Sequence, residues 1–406
     1  MISFDDSLEI LNSIKIEPKE VVEVPLMEAQ NLFLAEDIIA DFNSPEYPTS
    51  AMDGYTLKYE DQALKELKIS AINPAGADEI LTLTAGEVIK TFTGSIMPEG
   101  SDTLIPIENV TADGDKIVIN EEVPFGFSVR EVGENFKEGE VLIEKGTKIE
   151  FAQIAVLASL NYVTVKVYQK PKVAIVATGS ELLELGQKQT KKSQIRSSNN
   201  YTIEAIVKDC GAEPIQLGCV GDNIENIKNV FKNALNQADI IVSTGGVSVG
   251  DFDFVKDVVR DELGAEVLFK GVVLKPGQHI MVAKVDNKVI LALPGFAYSS
   301  TVTALIYLLP IVHKYMGTEY KPLIVESKLR GKYTKKSRKT EFKPCNLSVV
   351  NGSLAVDFIG KKDGTSAIMT NMLGNCALTI ASPEDGDKDV GETIDTFIYS
   401  LNVKHN

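Results

Sequence analysis

Three segments of the chain combine glycine, hydroxyl and acidic residues in a pattern that suits phosphate and metal binding. They are Thr178-Gly179-Ser180-Glu181, Gly221-Asp222-Asn223 and the stretch 244–253, which reads TGGVSVGDFD. Glycine lets the backbone approach an anion and donate N–H groups to it, and carboxylate oxygens are the ligands that Mg²⁺ prefers. The segments lack the spacing of a Walker A loop or a G-x-G-x-x-G fingerprint, so tight strand-to-helix turns explain the composition equally well.

The candidate metal ligands are the acidic residues of these segments. A single carboxylate in such a loop is more often a helix cap or a solvated charge. Several carboxylates at the same edge of the sheet predicted below favour an ion site. They are Glu181, Asp222, Asp251 and Asp253. The candidate phosphate-binding residues are Thr178, Gly179, Ser180, Gly245, Gly246, Val247 and Ser248.

Two later turns and one earlier segment add to this set. Lys275, in LKPG, is a cation able to neutralise an oxyanion, and Pro294-Gly295, in LPG, forms a rigid turn before a helix. Far away in the sequence, SPEYPTSAMDGYTL contains two prolines that restrict the backbone, and we expect Asp53-Gly54 to form a turn that exposes one carboxylate.

Strands alternate with helices over residues 171–316, which predicts a parallel sheet with crossover helices. In such a sheet, ligands lie at the carboxyl ends of the strands, where the loops named above within residues 171–316 fall. HIMVAKV and VILAL flank an Asp-Asn turn and predict a hairpin. The predicted helices run from about Tyr201 to near Gly211 with Asn199 as cap, from Ile224 to Leu235, from Phe254 to Leu263, and from Tyr298 to His313.

The whole chain, of 406 residues, is too long for one hydrophobic core, and the fold class is multidomain α/β plus β. We expect a doubly wound parallel-sheet domain at residues 171–316 and a small β-rich domain with the AMDGY segment at residues 46–140. Residues 317–406 predict a β-barrel-like domain, and residues 1–45 with 141–170 predict a mixed α/β linker domain.

Composition and charge disfavour several classes of function. With 57 acidic against 41 basic residues, the net charge of -16 opposes binding to nucleic acid or anionic lipid. No apolar run reaches the ~18 residues of a membrane span, and the acidic amino terminus is unlike a secretory signal, so we expect a cytoplasmic protein. The four cysteines show no C-x-x-C pair, which disfavours a zinc site.

Taken together, eight motifs resemble the molybdopterin molybdenumtransferase family nearly from end to end. They are PTSAMDGYTL, FTGSIMPEGSD, REVGENFKEGEVLIEKGT, VAIVATGSEL, SQIRSSN, STGGVSVGDFDFVK, LKPG and LPG, followed by SAIMTNMLGNCALTIAS near the carboxyl terminus. AMDGY combined with GGVSVG is highly specific, whereas TGSEL or LPG alone is not. The resemblance implies a homodimer of four-domain subunits, with the active site between the α/β domain and the AMDGY region of the partner subunit.

The resemblance also implies roles for individual residues. Glu181 and Asp253 match positions that hold Mg²⁺ near the adenylate phosphate, and Asp53, Thr93, Asp222, Ser248, Lys275 and Pro294 match other functional positions. The implied reaction inserts molybdate into adenylylated molybdopterin and releases AMP, with molybdate entering near Lys275. Implied protein partners are a molybdopterin adenylyltransferase and the apo-molybdoenzymes that receive the cofactor.

The chain departs from the family pattern at three places. Asn135 stands where the family has an aspartate, Gln278-His279 where it has Lys-Pro, and Phe296-Ala297 where it has Asn-Pro. Two interpretations follow. The enzyme is active with Lys275 as its cation, or the chain is a divergent paralogue that binds the pterin nucleotide but inserts metal slowly or handles tungstate.

Other classes of function fit less well. A molybdopterin adenylyltransferase typically has a G-G-T-G loop, whereas this chain has GGVSVGDFD. A scaffold role like that of the relative gephyrin is not supported, because the sequence shows neither a fused second domain nor a long linker. The basic cluster at Lys332, Lys335, Lys336, Arg338, Lys339 and Lys343 has few interleaved aromatics, so we expect a solvated hairpin face rather than a nucleic-acid site.

Overall fold

The computed structural model describes residues 1–247, 254–362, 366–399 and 404–405. The chain forms two compact units. The larger comprises Met1–Ala35, Gly146–Ile154 and Val163–Asn406, and the smaller comprises Glu36–Lys145 and Ala155–Tyr162. The predicted division into four domains stays a prediction.

A six-stranded sheet forms the centre of the larger unit. From edge to edge its strands are Glu213–Val220, Lys172–Thr178, Ile240–Thr244, Lys288–Leu293, Met281–Val285 and Glu266–Lys270. The first four strands are parallel and the last two are antiparallel to their neighbours. The predicted hairpin accounts for this change of direction, because its turn at Asp286 returns the chain beside the strand it has just left. The α/β class is therefore confirmed, with a mixed rather than wholly parallel sheet.

Both faces of this sheet are covered, as its continuous apolar strands predict. Successive side chains of a strand point to opposite faces, so Val173 and Ile175 pack into one core with Ile203, while Ala174 and Val176 pack into another with Phe231. The covering helices are Asn199–Asp209 and Ile224–Gln237, then Val255–Asp257 continuing as a π-helix over Val258–Glu262, and Ala297–Thr303, which continues through a π-helix, Ala304–Leu308, into Leu309–Tyr315.

A second sheet in the larger unit contains a closed ring of strands. Thr340–Val350, Ser353–Asp357, Leu323–Leu329, Thr393–Ile398 and Cys376–Ala381 pair in that order, and the last pairs again with the first. Closure removes the free edges of these five strands. Leu274–Lys275 and Lys404–His405 add to the Thr340–Val350 strand from outside the ring.

Short elements complete the larger unit. The helix Phe4–Ser13 packs on the central sheet's helices, where Ser7 Oγ and Tyr307 Oη lie 2.7 Å apart. The strands Val21–Pro25 and Thr164–Tyr168 pair antiparallel, and Leu182–Leu183 pairs with Ile195–Arg196. The 3-10 helices of this unit are Leu26–Glu28 and Met369–Met372, and the helix Phe151–Ser159 belongs to this unit up to Ile154 and to the smaller unit from Ala155.

The smaller unit is built on another six-stranded sheet. Its strands, in order, are Thr103–Pro106, Gly54–Leu57, Glu87–Thr91, Glu66–Asn73, Lys116–Ile119 and Val110–Asp113. Two short ladders join Thr49–Ser50 to Val129–Arg130 and Ile38–Ile39 to Val141–Ile143, and 3-10 helices span Tyr59–Leu64 and Ile107–Asn109. Among the residues that the structure describes, no helix is long and apolar enough to cross a membrane.

Candidate functional site

A cleft of about 600 Å³ lies at the carboxyl ends of the central parallel strands, and we call it the loop cleft. Its walls include Thr178, Asp222 and Gly245, each of which follows or ends a different strand of the sheet. Parallel strands bring their carboxyl ends to one edge, so residues distant in the sequence meet there. This edge is where the sequence predicts ligand binding.

The loops after the first two parallel strands are tied together by Ser180 and Asp222. Ser180 N–H donates to Asp222 Oδ2 at 2.9 Å, and Asp222 N–H donates to Ser180 Oγ at 3.1 Å. The Glu181 carboxylate folds back over Gly179, where a Cβ atom would lie 2.8 Å from its oxygens. Gly179 therefore leaves room for the carboxylate that the sequence assigns to a metal.

The glycine segment after the third parallel strand packs against the first loop. Gly245 and Gly246 have φ angles of +92° and +68°, which favour glycine. A Cβ atom on Gly245 would lie 2.6 Å from the carbonyl oxygen of Thr178. Side chains of Thr178 and Val247 are buried, so these two residues offer a ligand mainly their backbone. Ser248, Asp251 and Asp253 lie outside the described residues.

The cleft is also lined by residues that the sequence did not assign to it. They are Arg196, Asn199, His279 and Phe296, beside the predicted Pro294 and Gly295. Asn199 was expected to cap a helix, but it is the helix's first residue and its amide donates to the carbonyl oxygen of Gly295 at 2.8 Å. That prediction is wrong because the side chain finds a partner in the neighbouring loop. The SQIRSSN motif, which contains Arg196 and Asn199, is the sequence feature that could have indicated these lining residues.

The acidic residues of the loop cleft suit an ion held mainly by water and phosphate. The described residues contain no group of three or more His, Cys, Asp or Glu side chains arranged for a metal. Glu181 is exposed in the cleft, and Asp222 uses one carboxylate oxygen on Ser180. Mg²⁺ usually takes only one or two protein carboxylates and keeps several waters or phosphate oxygens, so this donor set fits it.

Lys275 lies in a different depression, of about 220 Å³, which we call the lysine cavity. Its described walls contain six lysines, namely Lys275, Lys332, Lys336, Lys343, Lys361 and Lys362. Glu341 is the one acidic residue among these described walls. The cavity is therefore strongly electropositive on a protein of net negative charge.

Glu341 is the counter-ion of Lys275 and was missed from the sequence. Its side chain is 5% exposed and lies 3.2 Å from Lys275 Nζ. Its oxygens also accept hydrogen bonds from Ser337 Oγ at 2.7 Å and from Tyr333 Oη at 3.2 Å. Burial opposes ionisation, but the hydrogen bond from Ser337 and the charge of Lys275 outweigh it and hold the pKa of Glu341 below its ordinary value.

The segment that carries the basic cluster is not a hairpin, because the strands before and after it, Leu323–Leu329 and Thr340–Val350, do not pair with each other. Tyr333 and Phe342 are buried, and they anchor the segment so that several of its lysines line the lysine cavity. Lys343 Nζ lies 4.8 Å from the centre of the Phe358 ring. The predicted hairpin is therefore wrong, whereas the predicted solvation is confirmed for Lys332, Lys336 and Arg338, which are exposed.

The loop cleft and the lysine cavity are neighbours, because three chain segments contribute to both. Lys275 and Pro276 line the cavity while His279 lines the cleft, and Tyr298 lines the cavity while Ala297 lines the cleft. Ser366 and Ala367 divide in the same way. A ligand in the loop cleft would therefore lie close to an anion in the lysine cavity.

Asp53 and Thr93, both in the smaller unit, are in direct contact. Thr93 donates to Asp53 Oδ1 from its hydroxyl at 2.7 Å and from its backbone N–H at 2.8 Å. The hydrogen bond from the hydroxyl, and to a smaller extent the one from the backbone, hold the pKa of the exposed Asp53 carboxyl below its ordinary value. Gly54 begins a strand rather than completing a turn, and a Cβ atom there would lie 2.3 Å from the carbonyl oxygen of Ile105.

Comparisons with known proteins cover nearly the whole chain. Residues 2–161 match a family model described as "MoeA N-terminal region (domain I and II)", and residues 174–314 match one described as "Probable molybdopterin binding domain". A molybdopterin molybdenumtransferase of Nostoc sp. is 33% identical over 340 residues, which is 81% of this chain and 78% of that protein. One from Haemophilus influenzae is 31% identical and 93% of each chain is covered.

The solved structures include a similar fold. The molybdopterin biosynthesis MoeA protein of Pyrococcus horikoshii OT3 superposes with a TM-score of 0.83 at 27% identity, covering 98% of this chain and 100% of that one.

Proposed function

The chain belongs to the molybdopterin molybdenumtransferase family, and from this premise we propose that it inserts molybdate into adenylylated molybdopterin and releases AMP. The observation that carries the proposal is the pair of adjacent cavities in the larger unit. One has the glycine-rich walls of a phosphate site, and the other has the lysine walls of an oxyanion site. A reaction that joins an oxyanion to a nucleotide-linked ligand needs both side by side.

The loop cleft would hold the phosphate groups of the substrate. Gly179, Gly245 and Gly246 let the backbone pack closely against its neighbours within the chain, which brings the loops together at the cleft, and Ser180 is exposed beside them. Packing of Gly245 against Thr178 fixes the backbone before a ligand arrives. Such fixed donors stabilise developing charge without first having to reorganise.

We propose Mg²⁺ as the resident ion, with Glu181 and Asp253 as its ligands and Asp222 nearby. When bound, Mg²⁺ polarises phosphate oxygens and stabilises the charge on the leaving AMP. The exposed Glu181 carboxylate beside Gly179 supports this assignment. Asp222 supports it indirectly, since its hydrogen bonds to Ser180 keep the two loops together.

The lysine cavity would receive molybdate as a substrate. Lys275, which is the cation proposed to contact it, is held by the buried carboxylate of Glu341. This pairing removes one full charge from the wall, so the cavity attracts an anion without binding it irreversibly. Gln278, where the family has lysine, accepts a hydrogen bond from Lys339.

We further propose a cytoplasmic homodimer, in which the AMDGY segment of the partner subunit completes the loop cleft. The contact between Asp53 and Thr93 supports a joint role for these residues, because the hydrogen bonds from the threonine orient the carboxylate and favour its ionised form. The receiving apoenzymes and an adenylyltransferase remain the proposed protein partners.

The test is molybdate-dependent release of AMP from adenylylated molybdopterin by the purified protein with Mg²⁺, with tungstate in parallel. We expect Lys275→Gln to raise the half-saturating molybdate concentration at least tenfold, and Glu181→Gln to slow release at saturating molybdate. Lys192→Gln, at an exposed lysine outside both cavities, is the matched control and should change neither quantity.

The other outcomes separate the alternatives. Tight pterin nucleotide binding without release would identify a divergent paralogue, and release only with tungstate would identify a changed oxyanion. Consumption of ATP with metal-free molybdopterin would instead identify an adenylyltransferase.

A further inference from the structure

Phe296 is an exposed aromatic side chain in the wall of the loop cleft. It is 61% exposed, although large apolar side chains usually gain stability by burial. It is the only phenylalanine, tyrosine or tryptophan among the described walls of this cleft. Its surroundings within the chain therefore leave most of the ring available to a ligand.

The backbone that carries Phe296 is fixed on both sides. Before it, the carbonyl oxygen of Gly295 accepts the 2.8 Å hydrogen bond from the Asn199 amide. After it, the N–H of Ser300 donates to the carbonyl oxygen of Phe296 at 2.9 Å, in the first turn of the helix Ala297–Thr303. A ring on a fixed backbone loses little freedom when it packs on a ligand.

Phe296 also stands next to the glycine segment. A Cβ atom built on Gly295 would lie 3.6 Å from the Cα atom of Gly245, so the two loops are in contact. Phe296 directly follows Gly295, which contacts Gly245. A phosphate held by Gly245 and Gly246 would therefore lie close to the Phe296 ring. Phosphate next to an aromatic ring is the arrangement that suits a nucleotide-like ligand, whose base offers a flat face for stacking.

We propose that Phe296 is a substrate-binding residue whose ring stacks on the planar nitrogen heterocycle of the ligand in the loop cleft. The adenine and the pterin of the substrate share this chemistry, and the experiment below distinguishes them. The inference rests on the proposed function, because it takes the phosphate position from it.

The experiment measures the affinity of the full-length protein for AMP, for ribose 5-phosphate and for 6-hydroxymethylpterin by calorimetry. Base-aromatic stacking predicts that Phe296→Ala weakens one heterocyclic ligand about 5- to 150-fold and leaves ribose 5-phosphate, which has no base, unchanged. Phe296→Tyr should retain the affinity of the native protein, whereas Phe296→Leu, which keeps apolar bulk without a ring, should not.

A second readout uses the absence of tryptophan from the chain. Phe296→Trp creates the single tryptophan of the chain, and a stacked heterocycle should quench its fluorescence. Val390→Trp, at a position that is 65% exposed and outside the cleft, is the control and should not respond. Whichever of AMP and hydroxymethylpterin quenches Phe296→Trp identifies the ring that stacks.

The two ways of failing are distinct. Equal affinities of the native protein and Phe296→Ala for both heterocyclic ligands, with no quenching of Phe296→Trp, would overturn the stacking role and leave the proposed function standing. Failure of the native protein to bind AMP, ribose 5-phosphate or hydroxymethylpterin at all would overturn the proposed function and this inference with it.

Discussion

Gly245 allows the sharpest test of how the loop cleft is built. Its φ of +92° disfavours any side chain, at a cost of about 1–2 kcal/mol for alanine. The Cβ atom of Gly245→Ala would also lie 2.6 Å from the carbonyl oxygen of Thr178, and a backbone atom cannot rotate away. Overpacking of this kind adds about 1–3 kcal/mol, so we expect a total destabilisation of about 2–5 kcal/mol.

The displaced Thr178 carbonyl moves the loop that contains Ser180, so function should fall together with stability. We expect Gly245→Ala to weaken AMP binding at least tenfold, measured by calorimetry beside urea unfolding. Gly264→Ala is the matched control, because its φ is +62° but nothing lies within 4 Å of the added Cβ atom. If both variants lost about 1 kcal/mol and bound AMP like the native protein, the proposed role of this contact would be refuted.

Three further predictions concern the other groups of the structure. Glu341→Gln removes the counter-ion of Lys275 and should lower the free energy of unfolding by about 1.5–3 kcal/mol in urea titrations, whereas an unchanged midpoint would contradict the pairing. Thr93→Val removes the hydroxyl that stabilises ionised Asp53, so the pKa of that carboxyl should rise toward its ordinary value of 3.8 in an NMR titration. Burial lowers the pKa of His313 from 6.5 to about 4. As the pH falls, the unfolded chain therefore takes up a proton on this imidazole before the folded protein does, and the free energy of unfolding should fall by about 3 kcal/mol between pH 6.5 and 4. His313→Phe should flatten that part of the plot of stability against pH.

The central sheet was predictable because its signals are local. The strand Lys172–Thr178 contains the unbroken apolar run 173–177, and the hairpin is marked by its Asp-Asn turn. Once the strands are parallel, geometry alone brings Glu181, Asp222 and Gly245 to one edge. The position of these residues therefore followed from pattern, whereas their roles stay predictions.

Glu341 could not be found in this way, because its function depends on a tertiary pairing. Locally, TEFKPC reads as an ordinary strand with one acidic residue. Lys275 meets Glu341 only because the short strand Leu274–Lys275 pairs in parallel with Thr340–Val350, which places the two residues opposite each other. No periodicity in the sequence specifies that register between elements so far apart.

The basic cluster of residues 332–343 also shows that the sequence does not reveal tertiary surroundings, here for charged residues. A run of lysines usually marks a solvated face, and composition carries no information on whether its aromatics are anchors. Tyr333 is fully buried, so the chain around it is held in place and its charges become part of a wall. Lysines that composition assigns only to a solvated face therefore also line a cavity that suits an anion.

Net charge and local charge act over different distances in this protein, and the proposed reaction depends on the difference. The net charge of -16 repels an oxyanion, but at physiological ionic strength this repulsion is screened over about 8 Å. Inside the lysine cavity, six lysines face one carboxylate in the described walls, so the local field has the opposite sign. Selection of the anion must then occur within the cavity itself, where Glu341 sets the balance of charge, rather than during approach from solution.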